Sequence, residues 1–159
     1  MIVRKLERGD IASVMKLTEA MHQEAPHYKD FPYSEQKVLA LTEVFLTNPD
    51  WLCVVAEHDE KLVGFFAVTI IPTFFGYDDF VEDISLYVSP VSRGTSAALR
   101  MLRMVEAWAL GRGAKAIRLG LTTGVRVENG ESFFLKLGYE ETGKLFTKLI
   151  SPLKLETTH

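Results

Sequence analysis

The sequence predicts an α/β fold in which one mixed sheet carries helices on both faces, with residues 1–159 forming a single domain. Three observations predict it. Apolar residues repeat at helical spacing in separate stretches, and runs rich in β-branched and aromatic residues alternate with those stretches. The run LVGFFAVTII, Leu62–Ile71, is apolar without alternation, as expected of a strand covered on both sides. A chain of 159 residues with 47% apolar content is long enough for one packed core and short for two.

Each element can be justified in turn. Ile2–Leu6 (IVRKL) reads as a short strand. Asp10 stands at a helix-cap position ahead of Ile11, Val14, Thr18 and Met21, and that helix must end before Pro26. A second helix starts at Ser34, turns Val38, Leu41 and Phe45 inward, and runs out at TNPD. Trp51–Glu57 and Lys61–Ile71 form a hairpin through HDE, which makes them antiparallel. After the loop PTFFGYDDF, a strand over Glu82–Val88 passes through a turn into a helix whose apolar stripe is Ala98, Met101, Leu102, Val105, Trp108 and Ala109. GRG ends that helix and the strand AKAIRLGL follows, so the strand, helix and strand make a right-handed crossover with parallel strands. A last helix near Glu131–Leu137 stops at Gly138, and the β-rich tail YEETGKLFTKLI is expected to return to the sheet.

Charge and composition exclude several classes. A net charge of −3 gives no global attraction to nucleic acid or to an anionic membrane, so neither is an expected partner and any phosphate site must be local. The longest apolar run has ten residues, about half of the ~20 that span a bilayer. The N-terminal MIVRKLERGD lacks a signal-peptide core and Cys53 is the only cysteine, which together lead to the expectation of a cytoplasmic protein. His22, His27, His58 and His159 have no metal-ligand spacing, and no metal is expected.

The turn inside YVSPVSRGTSAALRML has more specific chemistry. A strand that hands over to a helix through a glycine turn leaves backbone N–H groups unpaired at the positive end of the helix dipole. Arg93 adds charge, Gly94 can take a backbone conformation closed to other residues, and Thr95 and Ser96 add hydroxyl donors ahead of Ala97 and Ala98. The same pattern also fits an ordinary strand-to-helix connection capped by Ser or Thr.

These residues resemble the signature of the GNAT superfamily of N-acetyltransferases, a strand ending V-x-P-x-x followed by RGxGxG or RGxGxA. VSPVSRGTSAA supplies Val88, Pro90, Arg93, Gly94, Ser96 and Ala98, with Ser96 departing from the pattern. SFFLKLGY, residues 132–139, is similar to the family's later A-x-Y-x-K-x-G-F segment through Lys136, Leu137 and Gly138. The order of elements also matches the family over nearly the whole chain.

The resemblance implies a mixed, mostly antiparallel sheet splayed between its fourth and fifth strands, with acetyl-CoA in the split. It implies that the backbone from Arg93 through Gly94, Thr95, Ser96, Ala97 and Ala98 meets the pyrophosphate. The pantetheine arm would add to the edge formed by Leu86, Tyr87 and Val88, with Phe134 and Lys136 contributing from the later segment. Acetyl transfer to an amine then needs an oxyanion donor, sought near Leu86 or Tyr87, and a base, for which Glu82 and Asp83 open the strand on opposite faces. Both acids could equally be a solvated pair.

The family's usual general acid is a tyrosine where this chain has Phe134, so the thiolate would be protonated by water, Ser132 or Tyr139. On the acceptor side, HYKDFPY and FFGYDDF pair rings with acids, and Tyr28, Asp30, Tyr77, Asp78 and Asp79 suit a cationic amine. Those rings could instead cover the core edge. The expected activity is acetyl transfer to a primary amine of a small molecule or peptide by direct attack in a ternary complex, by a monomer or homodimer. The alternatives are an acyl-CoA-binding regulatory module with little activity and, from the helix N-terminus alone, a nucleotide-binding protein, although GxxxxGK[ST] is absent and GxGxxG incomplete.

Overall fold

Five strands pair in sequence order: β1 (Ile2–Lys5), β2 (Trp51–His58), β3 (Lys61–Pro72), β4 (Asp79–Val88) and β5 (Ala116–Arg118). The first three junctions are antiparallel and the β4–β5 junction is parallel, as the hairpin and the crossover predict. The computed structural model describes residues 1–150. Helices α1 (Ile11–Glu24), α2 (Glu35–Thr47) and α3 (Ala97–Gly111) belong with the sheet to one unit, Met1–Val125, and α4 (Val127–Lys136) belongs to a second that begins at Arg126.

In the first unit the sheet is covered on both faces. Cys53, Val55, Phe65, Ala67 and Tyr87 alternate onto one face, where Leu17 and Met21 of α1 and Phe45 and Leu46 of α2 pack against them. Gly64 turns to the other face. A Cβ there would stand 3.3 Å from Met101 Cε of α3 and 2.7 Å from the Tyr87 carbonyl, so glycine lets that helix and strand approach closely. Phe66, Val68, Val81, Met101, Leu102 and Val105 are fully buried, each burial contributing roughly 1.5–3 kcal/mol.

Several local expectations need correction. The Asp10 side chain does not cap α1. It accepts the Glu7 N–H at 2.8 Å across a 3₁₀ turn, Arg8–Asp10, and binds Arg4 at 2.7 and 2.9 Å. That ion pair holds the Asp10 carboxyl below its ordinary range. Ser34 does cap α2, accepting the Lys37 N–H at 3.3 Å. β4 begins three residues earlier than expected, because Asp79 and Phe80 are already paired with Pro72 and Ile71. β5 is shorter than AKAIRLGL suggests, since only Ala116–Arg118 find β4 as a partner.

Within the second unit α4 begins at Val127 rather than near Glu131. It ends as expected at Gly138, whose φ of +90° favours glycine and whose N–H bonds Leu135 O at 3.1 Å. Residues 139–150 form no strand. The tail has strand-like composition, but a strand also needs a ladder of hydrogen bonds to a neighbour, and composition does not supply one.

One irregularity shapes β4. Ala67 pairs with Ser85 and Val68 with Asp83, so Ile84 is an extra residue in the strand. A bulge of this kind bends the strand that carries it. The bend falls two residues beyond the last β4–β5 pair, Glu82 with Arg118.

Candidate active site

Beyond that bulge β4 separates from the chain that follows β5. Asp83 Oδ1 accepts the Gly120 N–H at 3.0 Å, which is the last tie between the two walls at this end of the split. From Ile84 to Val88 no strand lies on this side of β4 among the described residues. The register shows which backbone groups face the gap. Ser89 N–H bonds Val63 O at 2.8 Å, and in an antiparallel pair the residues that exchange bonds alternate, so Tyr87 and Ser85 also point their backbone groups at β3. Leu86 and Val88 therefore point theirs into the split. Arg93 Nε–H reaches the Val88 carbonyl at 3.0 Å from that side. Between the two oxyanion-donor candidates the register favours Leu86.

The turn after β4 is a short 3₁₀ segment, Pro90–Ser92, followed by Arg93–Ser96 and then α3. Gly94 has φ of +83°, and a Cβ there would meet nothing within 4 Å, so the glycine is required by backbone conformation while the space beside it stays open. Thr95 Oγ1 donates to Ser92 O at 2.6 Å and accepts the Ala97 N–H at 3.3 Å. Arg100 N–H is taken by Ser96 O at 2.9 Å. The N–H groups of Gly94, Ser96, Ala98 and Leu99 have no acceptor among the described residues. They form a cluster of donors at the N-terminus of a 15-residue helix.

The Arg93 side chain turns away from this cluster. Its guanidinium binds Glu24 in a bidentate pair at 2.6 and 2.7 Å and lies over the Tyr87 ring at 5.6 Å, while Tyr87 Oη–H reaches Glu24 Oε2 at 3.2 Å. Glu24 and Arg93 are 69 residues apart, and no pattern in the sequence links them.

The two acids differ in surroundings. Glu82 is paired with Arg118, whose guanidinium also stacks 4.1 Å from the Phe80 ring centre. Asp83 has no cation in its hydrogen-bonding set, and burial pushes its carboxyl above the ordinary range, against the smaller opposite effect of the Gly120 N–H. Cys53 lies in the core, where burial pushes its thiol up to about 12 and leaves it no thiolate at neutral pH.

The acceptor-side candidates fall in two places. Tyr28 lies in a 3₁₀ turn, Pro26–Tyr28, that meets the chain after β5: its hydroxyl is 3.3 Å from Thr122 Oγ1, and His27 Nδ1 is 3.0 Å from Thr122 O. A carbonyl only accepts, so His27 carries its proton on Nδ1. Asp30 is exposed just beyond. Tyr77, Asp78 and Asp79 sit instead at the β3–β4 turn and the start of β4, where β4 and β5 are still paired, and Phe74, Phe75 and Tyr77 there are over 90% exposed. Eight residues separate Asp78 from Leu86, about 26 Å at the usual strand rise. The structure therefore gathers Leu86, Val88, Gly94, Ser96, Ala98, Asp83 and Tyr28 around the split and leaves the β3–β4 turn apart from them.

In the second unit Phe134 stacks with Phe133 and Tyr139 at centroid distances of 5.6 and 5.8 Å, and Lys136 is exposed on the last turn of α4. Among the described residues no group of three or more His, Cys, Asp or Glu is arranged to hold a metal ion, and no helix is long and apolar enough to cross a membrane.

The model of the acetyltransferase (GNAT) family matches residues 15–139. Uncharacterized N-acetyltransferases from Mycobacterium bovis and Mycobacterium tuberculosis are 32% identical over 99 residues, a match covering 62% of this chain and 59% of theirs. The chain thus matches less than two thirds of the length of these relatives. Among solved structures, AAC(6')-Iy in complex with the bisubstrate analog CoA-S-monomethyl-acetylneamine superposes with a TM-score of 0.76 at 17% identity, over 94% of this chain and 97% of that one. The aminoglycoside antibiotic 6'-N-acetyltransferase AAC(6')-IG from Acinetobacter haemolyticus gives 0.73 at 17% identity, over 95% and 100% of the two chains. At such identities the likeness is one of fold.

Proposed function

The chain belongs to the acetyltransferase (GNAT) family, and from that premise we propose that it transfers an acetyl group from acetyl-CoA to the primary amine of a small molecule or peptide. One observation carries the reading: a strand edge, Leu86–Val88, that pairs with no strand on its outer side among the described residues runs directly into a turn and helix start where four N–H groups lack acceptors among those residues. The edge offers a ladder to an extended amide chain, and the donors at the start of α3 suit an anion. The open space beside Gly94 leaves room for the backbone to approach phosphate. The residues present therefore fit the pantetheine arm and pyrophosphate of CoA.

When bound, acetyl-CoA supplies the thioester whose acyl carbon accepts the amine nitrogen as its bond to sulfur breaks. Leu86 donates its N–H to the oxygen on which negative charge develops. Asp83 takes the proton that the amine must lose, directly or through one water. Its tie to Gly120 fixes the carboxyl at the end of the split where the two walls meet. The leaving thiolate takes its proton from water. Tyr28 and Asp30 supply a ring and a carboxylate to a cationic acceptor.

Glu82, by contrast, is a surface partner of Arg118. Glu82→Gln is expected to leave turnover within about threefold of wild type and to cost about 0.2–1 kcal/mol of stability, the usual range for a part-exposed pair. Turnover and melting measured on the same preparation check it. A large loss of rate would move the base from Asp83 to Glu82.

Calorimetry with CoA and with dephosphorylated pantetheine tests the site assignment. CoA should bind far more tightly, because only it offers phosphate to the turn; equal affinities would remove the turn from the site. Thiol release from acetyl-CoA against a panel of primary amines tests transfer. Binding without release across a broad panel would favour a CoA-binding module.

A further inference from the structure

We infer that Glu24 is a positioning residue that couples the phosphate turn to the segment lying across the split, an inference that rests on the acetyl-CoA reading of that turn. The last turn of α1 runs along β4: Ser85 Oγ–H reaches Met21 Sδ at 2.9 Å, and one turn later Glu24 meets Tyr87 and Arg93. Three and four residues after α1 ends, His27 and Tyr28 bind Thr122 on the opposite wall. The chain from Glu24 to Tyr28 therefore bridges the gap from the β4 side to the side that follows β5.

Glu24 is where this bridge and the phosphate turn share a bond. Three N–H groups of Arg93 are committed, two to the Glu24 carboxylate and one to the Val88 carbonyl, the last residue of the open edge. Removing the carboxylate would free the guanidinium to move, and with it the hold on Val88. The pair binds the end of α1 to the turn, and through Glu24 order in the turn passes to residues 25–31. A ligand that orders the turn must then also order the bridge, and coupling of this kind is reciprocal.

Hydrogen exchange with CoA as the probe tests this. In the wild-type chain CoA should slow amide exchange both at 93–98 and at 25–31. In Glu24→Gln the slowing at 93–98 should persist while that at 25–31 is mostly lost. Equal slowing at 25–31 in both proteins would overturn the coupling, as would CoA that protects the turn but not the bridge in the wild type. CoA that protects neither segment of the wild type would instead overturn the acetyl-CoA reading itself. Should Glu24→Gln fail to fold, Arg93→Lys serves, since an ammonium cannot hold both carboxylate oxygens and the Val88 carbonyl in one plane. Its bridge should lose protection by CoA in the same way, and full retention would overturn the inference.

Discussion

Gly94→Val is expected to weaken CoA binding by about 10–100-fold while barely moving the melting temperature. A β-branched residue at φ of +83° is strained by roughly 1–3 kcal/mol, and each 1.4 kcal/mol is a factor of ten in affinity. Where that strain appears depends on how firmly the turn is held. Gly94, Thr95 and Ser96 are exposed, and the bonds closing the turn, Arg93 N–H to Pro90 O and Thr95 N–H to Ser92 O, are both long at 3.4 Å. A turn held so lightly relaxes instead of straining the fold, so the loss appears when a ligand demands the original shape. Calorimetry beside a melting curve separates the two. A large fall in melting temperature with unchanged CoA affinity would mean that the conformation at Gly94 serves folding alone.

Asp83→Asn should have the opposite signature, a fall in turnover of about 10²–10⁴-fold with stability at neutral pH unchanged or raised. Burial raises the Asp83 carboxyl above its ordinary range, so the native protein binds that proton more tightly than the unfolded chain does. Such a group contributes stability that is full below the unfolded pKa and is lost as pH rises through the higher folded value. At neutral pH the ionised, half-buried carboxylate works against the fold. Asparagine removes the charge and keeps an oxygen for the Gly120 N–H at 3.0 Å. The melting advantage of the variant should shrink as pH falls through the raised folded value and be gone by about 4, near the unperturbed value for aspartate. In the wild-type chain, kcat/KM should rise with pH through a pKa above the usual carboxylate range. Wild-type turnover in Asp83→Asn would exclude the base assignment.

Much of this arrangement is legible in the order of residues, and the remainder fails for physical reasons. The hairpin, the crossover and the glycine turn are local events, each written within about a dozen residues, and all three stand in the structure. The early end of β5 and the absence of a strand in 139–150 depend on pairing partners, which composition does not name. Arg93 illustrates the limit at the site. Its position beside Gly94 suggests a charge for phosphate, but the guanidinium goes to Glu24, a residue brought near only when α1 packs on the sheet. What the turn offers an anion is therefore backbone N–H rather than the guanidinium. Nor does alternation in EDISLYV announce a bulge, because Ile84 and Leu86 are both apolar and either could face a helix.

Ile84 acts on β4 as an inserted letter acts on a reading frame. Upstream of it Glu82 shares a face with Thr69, and downstream Ser85 and Tyr87 share that face with Ala67 and Phe65, so odd and even positions exchange meaning at one residue. A chain lacking Ile84 would set Ser85 directly after Asp83, and unbroken alternation would still bring Ser85 opposite Ala67 and Tyr87 opposite Phe65. Tyr87 would keep its face and Glu24 its phenol, while the strand would lose the bend that the extra residue gives it. Substitution at Ile84 is thus a question of packing, whereas deletion would restore a regular ladder and straighten β4 at the mouth of the split.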